Sequence, residues 1–194
     1  MKCLLCESFS LLHICKTCQE NFLAPSLYKR KVQNVDVISF YKYEDIKKLL
    51  HTKHTDIGYY IYKILAHNSF QKFAQEFDYE YPVVSIPIDD TITSGYSHTA
   101  LLNKALQSKN IKQLYNILRA KNTLSYSGKS REFRLTNKRD FTVNKFNEKS
   151  VLLVDDIITT GATLHEAITC MQANKKEVLF CLTLADSSLK ESFK

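Results

Sequence analysis

Residues 151–163 read Val-Leu-Leu-Val-Asp-Asp-Ile-Ile-Thr-Thr-Gly-Ala-Thr, and no other stretch of the chain restricts the fold as tightly. Four consecutive apolar residues, Val151, Leu152, Leu153 and Val154, suit a strand buried on both faces. In parallel sheets ligands collect outside the carboxyl ends of the strands, and Asp155 and Asp156 fall at that end. Then come Thr159, Thr160, Gly161, Ala162 and Thr163, followed by an apolar-periodic stretch over 164–173. Thr163-Leu164-His165-Glu166 has the form of a capping box, which predicts a helix starting near Thr163. A helix N-terminus offers unpaired N–H groups and partial positive charge, so it attracts anions. Gly161 lets the backbone approach a phosphate, and the threonines add hydroxyl donors. The loop has no cation of its own, which suits a monophosphate held by neutral donors. The carboxylates would repel that phosphate. They suit the two hydroxyls of an adjoining ribose, with a divalent cation close by. An acidic pair that merely caps the next helix is the plainer alternative, and the order acid-acid, two apolar residues, Thr-Thr-Gly-Ala-Thr argues against it.

The remaining periodicities alternate. Strands are expected at 35–41, 83–86, 113–118 and 178–184, and helices at 45–66, 99–106 and 164–173. The stretch 28–31 reads as a polar, basic link. Strands alternating with helices predict an α/β fold with a mostly parallel sheet flanked by helices. Residues 120–149 show no sustained periodicity, and a loop that long inside a compact domain is usually functional or disordered. It is also the most basic part of the chain. Within 103–149 there are twelve Lys or Arg and three acidic residues, a balance larger than the net charge of +7 for the whole protein. A polyanionic partner fits, either a phosphorylated sugar under a basic lid or a nucleic acid; a solvated lysine-rich surface is the alternative.

Four of the six cysteines open the chain: Cys3, Cys6, Cys15 and Cys18 form two Cys-x-x-Cys pairs separated by eight residues. Two such turns can surround a tetrahedral ion, and thiolate ligands favour zinc. Four sulfurs leave no open position, so a structural Zn2+ is expected. Two disulfides compete with this reading, but they need an oxidising compartment. His13 lies between the pairs and is not needed as a ligand. Cys170 and Cys181 read as small core residues. No stretch is apolar for long enough to span a membrane, and the first residues do not resemble a signal peptide, so a cytoplasmic protein is expected.

Residues 151–163 resemble the phosphoribosyl pyrophosphate (PRPP) motif of type I phosphoribosyltransferases. An N-terminal four-cysteine finger joined to such a domain resembles the ComF family of DNA-uptake (competence) proteins, over nearly the whole chain. The resemblance implies a zinc finger over residues 1–30 and a phosphoribosyltransferase-like domain over 31–194. It implies that Asp155 and Asp156 hold the ribose hydroxyls of PRPP with Mg2+. It places the 5-phosphate on Thr159, Thr160, Gly161, Ala162 and Thr163, and pyrophosphate at Lys53. The basic loop is similar to the family's Arg…Arg…Asn segment, at Arg119, Arg131, Arg134 and Asn137. Two departures bear on acceptor chemistry and pyrophosphate contacts, not on the 5-phosphate: Ser94-Gly95-Tyr96-Ser97-His98 stands where relatives usually carry Arg-Gly-Phe-Asn-Gln, and Tyr126 stands where they carry a glutamine. No catalytic residue is assigned. The implied role is natural transformation, in uptake and handling of single-stranded DNA with the DNA-uptake machinery, in the cytoplasm or at the inner face of the membrane. An active phosphoribosyltransferase of nucleotide metabolism is the alternative. Folds of this kind often form homodimers.

Other signals are weaker. Gly128-Lys129-Ser130 resembles the end of a P-loop, but Thr123 stands where the first glycine belongs. His51, His54, His67 and His98 have no metal-ligand spacing. Tyr59-Tyr60 and Tyr79…Tyr81 read as packing residues rather than base-stacking platforms.

Overall fold

The structure, a computed structural model, describes residues 1–88, 95–122 and 139–189. Six strands form the main sheet: β1 (Tyr28–Val32), β2 (Val35–Lys42), β3 (Val83–Pro87), β4 (Ile111–Gln113), β7 (Ser150–Ile158) and β8 (Glu177–Asp186). Their order is β1-β2-β8-β7-β3-β4. β1 is antiparallel to β2, and every other neighbouring pair is parallel. Two short strands, β5 (Leu118–Ala120) and β6 (Phe141–Val143), pair antiparallel as a separate ribbon. The expected architecture, a mostly parallel sheet flanked by helices with a four-cysteine cluster at the N-terminus, is the one the chain adopts.

The apolar run of β7 explains why the sheet carries helices on both faces. Successive residues of a strand point to opposite sides. Leu152 and Val154 belong to one buried cluster with Ile61, Leu65 and Leu102. Val151 and Leu153 belong to another with Leu164, Ile168 and Met171. The first cluster is covered by α2 (Tyr43–Leu50), α3 (Gly58–Ala66), α4 (Lys72–Glu76) and α5 (His98–Ala105), the second by α6 (Ala162–Ala173). From β3 the chain passes through α5 to β4, toward one edge of the sheet; from β7 it passes through α6 to β8, toward the other. The connection order therefore reverses between β3 and β7. In open α/β sheets, that reversal opens a crevice at the carboxyl ends of the strands.

Several local expectations are corrected. The stretch 28–31 is not a link but most of β1, and its alternation of charged and less exposed positions suits a sheet edge. The strand expected at 113–118 is two strands in different sheets. β4 stops at Gln113, and Asn116, at φ 57°, turns the chain before β5 begins. Asparagine is among the few residues that tolerate the left-handed region. The helix expected to end at 66 runs on, through a π turn (His67–Gln71), into α4. Asn68 and Ser69 hide this continuation because they look like loop residues, yet both are buried. Ser69 Oγ donates to the Leu65 carbonyl at 2.6 Å, and Asn68 Nδ2 donates to the Ile64 carbonyl at 3.0 Å.

The cysteine-rich start is packed against the sheet rather than tethered to it. Cys3, Ile14, Cys18 and Leu23 are buried in the cluster that holds Tyr41 and Leu65. Gln19, in helix α1 (Lys16–Phe22), fastens it: Nε2 donates to the Ile14 carbonyl at 2.7 Å, and Oε1 accepts from Asn68 Nδ2 at 2.9 Å. Among the described residues, no helix is long and apolar enough to cross a membrane.

Candidate functional site

β7 runs four residues further than its apolar core, so Asp155 and Asp156 lie inside the ladder, Asp155 opposite Thr183 of β8. Each carboxylate is braced on the next backbone group. Asp155 Oδ1 accepts the Asp156 N–H at 2.8 Å, and Asp156 Oδ1 accepts the Ile157 N–H at 2.7 Å. Asp156 Oδ2 forms an ion pair with Lys53 Nζ at 3.1 Å, 103 residues away in sequence. Burial opposes ionisation of Asp156, but the Lys53 ammonium, its hydrogen bond, His98 and the Ile157 N–H outweigh it. The carboxyl is held below its ordinary value. The pair is mostly enclosed, with side chains 22% and 16% exposed.

Lys53 sits in a 3-10 turn (His51–His54) that is pinned from outside. Its carbonyl accepts from His98 Nε2 at 2.9 Å and from the Tyr96 hydroxyl at 3.3 Å. A carbonyl only accepts, so Nε2 of His98 carries a proton. His54 meets His98 edge-on at 5.7 Å between ring centres. Burial, Lys53 and His98 depress the pKa of His54, against a smaller opposing effect of Asp156. The turn also needs Gly58, because a Cβ there would lie 2.2 Å from the Thr52 carbonyl oxygen and 2.8 Å from the Tyr96 hydroxyl. Residues 96–98 thus have a local job: Tyr96 and His98 hold the Lys53 turn, and Ser97 caps α5 by accepting the Ala100 N–H at 3.0 Å.

The Thr159–Thr163 region follows β7 as a tight loop. Gly161, at φ 81°, is the N-cap of α6, one of the few positions where the backbone demands glycine. Thr160 Oγ1 accepts the Ala162 N–H at 3.3 Å. The first-turn N–H groups of a helix have no partner within it, and in α6 they follow directly on the loop that leaves β7. The capping box is absent. The helix starts at Ala162, and Gly161 makes no side-chain cap. Glu166 serves the basic arm instead: its carboxylate accepts the Arg139 N–H at 3.0 Å and the Asp140 N–H at 2.6 Å. The loop has no cation of its own, but the fold sets one beside it. Arg30 of β1 donates through NH2 to the Thr159 carbonyl at 2.8 Å.

The fold therefore brings together Lys53, Asp155, Asp156 and the Thr159, Thr160, Gly161, Ala162, Thr163 loop. Arg119 is exposed on β5, with NH1 donating to Asn116 Oδ1 at 2.8 Å. Arg131, Arg134 and Asn137 lie outside the described residues. Tyr59 and Tyr60 are about half exposed rather than core; their rings meet edge-on at 5.5 Å, and Tyr59 also meets Tyr96 at 5.5 Å.

At the other end of the molecule, the sulfurs of Cys3, Cys6, Cys15 and Cys18 all lie within 4.8 Å of one another, a group able to hold a metal ion. The Cys6–Cys15 separation is 3.7 Å, close to the edge of about 3.8 Å that four sulfurs at zinc–thiolate distance would define. Burial works against the Cys3 thiolate, but N–H groups of Cys15, Cys6 and Leu5 and the Cys6 side chain lower its pKa to about 6. The Cys15 N–H lies 3.3 Å from Cys3 Sγ. Such N–H···S contacts favour the thiolate, the form that binds metal.

No protein-family model matches this chain, and no curated protein matches it. Among solved structures, it is similar to a hypoxanthine phosphoribosyltransferase from Staphylococcus aureus, with 16% identity over 69% of each chain and a TM-score of 0.37. It is also similar to the hypoxanthine phosphoribosyl transferase of Trypanosoma cruzi, with 19% identity over 68% of this chain and 67% of that one and a TM-score of 0.35. Likenesses this distant carry no argument about activity.

Proposed function

We propose that the crevice at the end of β7 binds the ribose 5-phosphate moiety of PRPP together with Mg2+. The observation that carries the reading is the meeting of the Asp155-Asp156 pair and Lys53 beside a helix N-terminus capped by left-handed Gly161. The loop of Thr159, Thr160, Gly161, Ala162 and Thr163 supplies N–H and hydroxyl donors to the 5-phosphate. Asp155 and Asp156 accept the ribose hydroxyls and tolerate the cation, which neutralises the diphosphate. Lys53, paired with Asp156, supplies an ammonium to the pyrophosphate. Calorimetric titration with PRPP and Mg2+ tests this. Binding by the wild type and its loss in Asp155→Ala/Asp156→Ala is the expected result; no heat from the wild type, or unchanged binding in the double variant, refutes it.

The wider reading is a ComF-like protein that handles single-stranded DNA at the cytoplasmic side during natural transformation. We read residues 1–30 as a structural zinc finger and 31–194 as the phosphoribosyltransferase-like domain. The four-sulfur cluster supports the finger, and about one zinc per chain in the purified, reduced protein is expected by elemental analysis. A groove of about 780 Å³ between α1 and the helices α3, α4 and α5 supports the DNA role: Lys16, Lys63, Lys72 and Lys104 line it beside Tyr59, with Glu20 as the acidic lining residue. Basic grooves with an aromatic ring suit single strands, and such binding weakens steeply with salt. A filter-binding series in which affinity ignores salt would remove this support. The intact acidic pair also favours a second reading, transfer of the phosphoribosyl group to a base or other nucleophile. Acceptor-dependent release of pyrophosphate decides for it.

A further inference from the structure

Strand β1 is the edge of the sheet, yet it reaches the phosphate loop. Its alternation puts Arg30 and Val32 on one side. A Cβ on Gly161 would lie 2.9 Å from Val32 Cγ2 and 3.7 Å from Arg30 NH2, so both side chains lie beside the N-cap of α6, Val32 the closer. The guanidinium spans two groups. NH2 donates to the Thr159 carbonyl at 2.8 Å, and NH1 pairs with Asp186 Oδ1 at 3.3 Å. Asp186, at the end of β8, is 2% exposed, and the same Oδ1 accepts the Ser188 N–H at 2.8 Å and the Ser188 hydroxyl at 2.7 Å. Among the described residues, Arg30 Nε is buried without a hydrogen-bond partner, so the side chain gives up one donor to reach these two acceptors.

We propose that Arg30 is a positioning residue for phosphate, acting through the backbone of the loop. In a trans peptide, C=O and N–H point in opposite directions. Holding the Thr159 carbonyl toward Arg30 therefore turns the Thr160 N–H away from it. A phosphate-binding loop requires that polarity, because an inward carbonyl would repel the anion. The charge of Arg30 is matched by Asp186, so orientation is its main contribution and net attraction a minor one. The planar fork makes the role specific to arginine: a lysine keeps the charge but cannot span a carbonyl and a carboxylate in fixed geometry. β1 and β8 thereby become part of a site whose sequence motif lies in β7, the loop after it and the start of α6.

The inference rests on the ribose-phosphate reading, and two ligands separate them. Ribose 5-phosphate probes the loop, and pyrophosphate with Mg2+ probes the Lys53 side. In Arg30→Lys, affinity for ribose 5-phosphate falls about tenfold, the loss of one hydrogen bond to a charged donor, while pyrophosphate binding stays within about twofold of wild type. Asp186→Asn keeps the Arg30 bond to Thr159 and uncovers its charge, so its affinity for ribose 5-phosphate is equal to or higher than that of the wild type. The idea is overturned by three results: Arg30→Lys binding ribose 5-phosphate as wild type does, both ligands weakening in parallel, or Asp186→Asn losing as much as Arg30→Lys. If Arg30→Lys does not fold, the Asp186→Asn result decides. If wild-type protein binds neither ligand, the ribose-phosphate reading fails, and this role of Arg30 with it.

Discussion

The two halves of the crevice are built on different principles. The phosphate half is mostly local: Thr159, Thr160, Gly161, Ala162 and Thr163 are consecutive around one left-handed backbone position, with Arg30 of β1 as a support from outside. The Lys53 half is assembled from three distant segments, with Lys53 in a short turn, Asp156 on β7, and Tyr96 and His98 at the start of α5. A mostly local loop loses most when its own backbone is altered and less when a neighbour such as Arg30 is changed. An assembled half fails when any of its parts is displaced. Substitutions in the two halves should therefore separate binding of the 5-phosphate from binding of pyrophosphate.

The largest effect is expected at Gly58. Glycine to alanine inside a helix ordinarily stabilises by about 1 kcal/mol. Here the new Cβ would lie 2.2 Å from the Thr52 carbonyl oxygen, so the turn that carries Lys53 must move. Gly58→Ala should cost about 3 kcal/mol in urea unfolding and abolish pyrophosphate binding, with ribose 5-phosphate affinity little changed. Equal loss of both ligands would erase the distinction between the halves.

Lys53→Met ranks second. It leaves the Asp156 carboxylate enclosed without its ammonium, at a cost of about 2 kcal/mol once partial exposure is allowed for. The pH dependence has a definite sign. The folded carboxyl titrates below the ordinary value of 3.8, so the pair stabilises the fold at pH values above 3.8 and loses that contribution as the pH falls through the folded value. Asp156→Asn should flatten that acid limb in thermal melts followed from pH 5 downward. An unchanged acid limb would show that the ion pair does not couple to folding.

These cases show what could be read from the sequence. β7, its acidic pair and the Gly161 loop were legible because strand, carboxylates and helix start are contiguous and the chemistry follows from their order. The cysteine cluster was legible for the same reason. Arg30 was not, since nothing local separates a structural arginine in an edge strand from the lysines around it; only the pairing of β1 with β2, and of β2 with β8, brings it to Thr159. Glu166 shows the opposite error. Its spacing from Thr163 suggests a cap, yet the arm at Arg139 and Asp140 offers its carboxylate two N–H donors. Tyr96 and His98 were noticed only as departures, because their partner is a backbone carbonyl 43 and 45 residues away, which leaves no side-chain pattern to find.

Gly161→Ala probes the local half alone. An L-residue at φ 81° costs about 1–2 kcal/mol, and the added methyl also meets Val32 Cγ2 at 2.9 Å. Ribose 5-phosphate binding should be lost while pyrophosphate binding persists, the mirror image of Gly58→Ala. Calorimetry with both ligands on both variants makes the comparison a two-by-two experiment, and a matching pattern in the two variants would contradict it.

The smallest effect is expected at Tyr96. Its hydroxyl donates to the Lys53 carbonyl at 3.3 Å, longer than the 2.9 Å contact from His98 to the same oxygen. Tyr96→Phe removes the weaker of two donors and leaves the ring against Tyr59 and His98, so the carbonyl stays paired. The loss should be about 0.5 kcal/mol in stability, and pyrophosphate affinity should fall by no more than about threefold. His98→Phe removes the shorter bond and should cost more than Tyr96→Phe in both measurements. If the two rank the other way, Tyr96 is the main support of the turn, and the assembled half leans on the longer of its two hydrogen bonds.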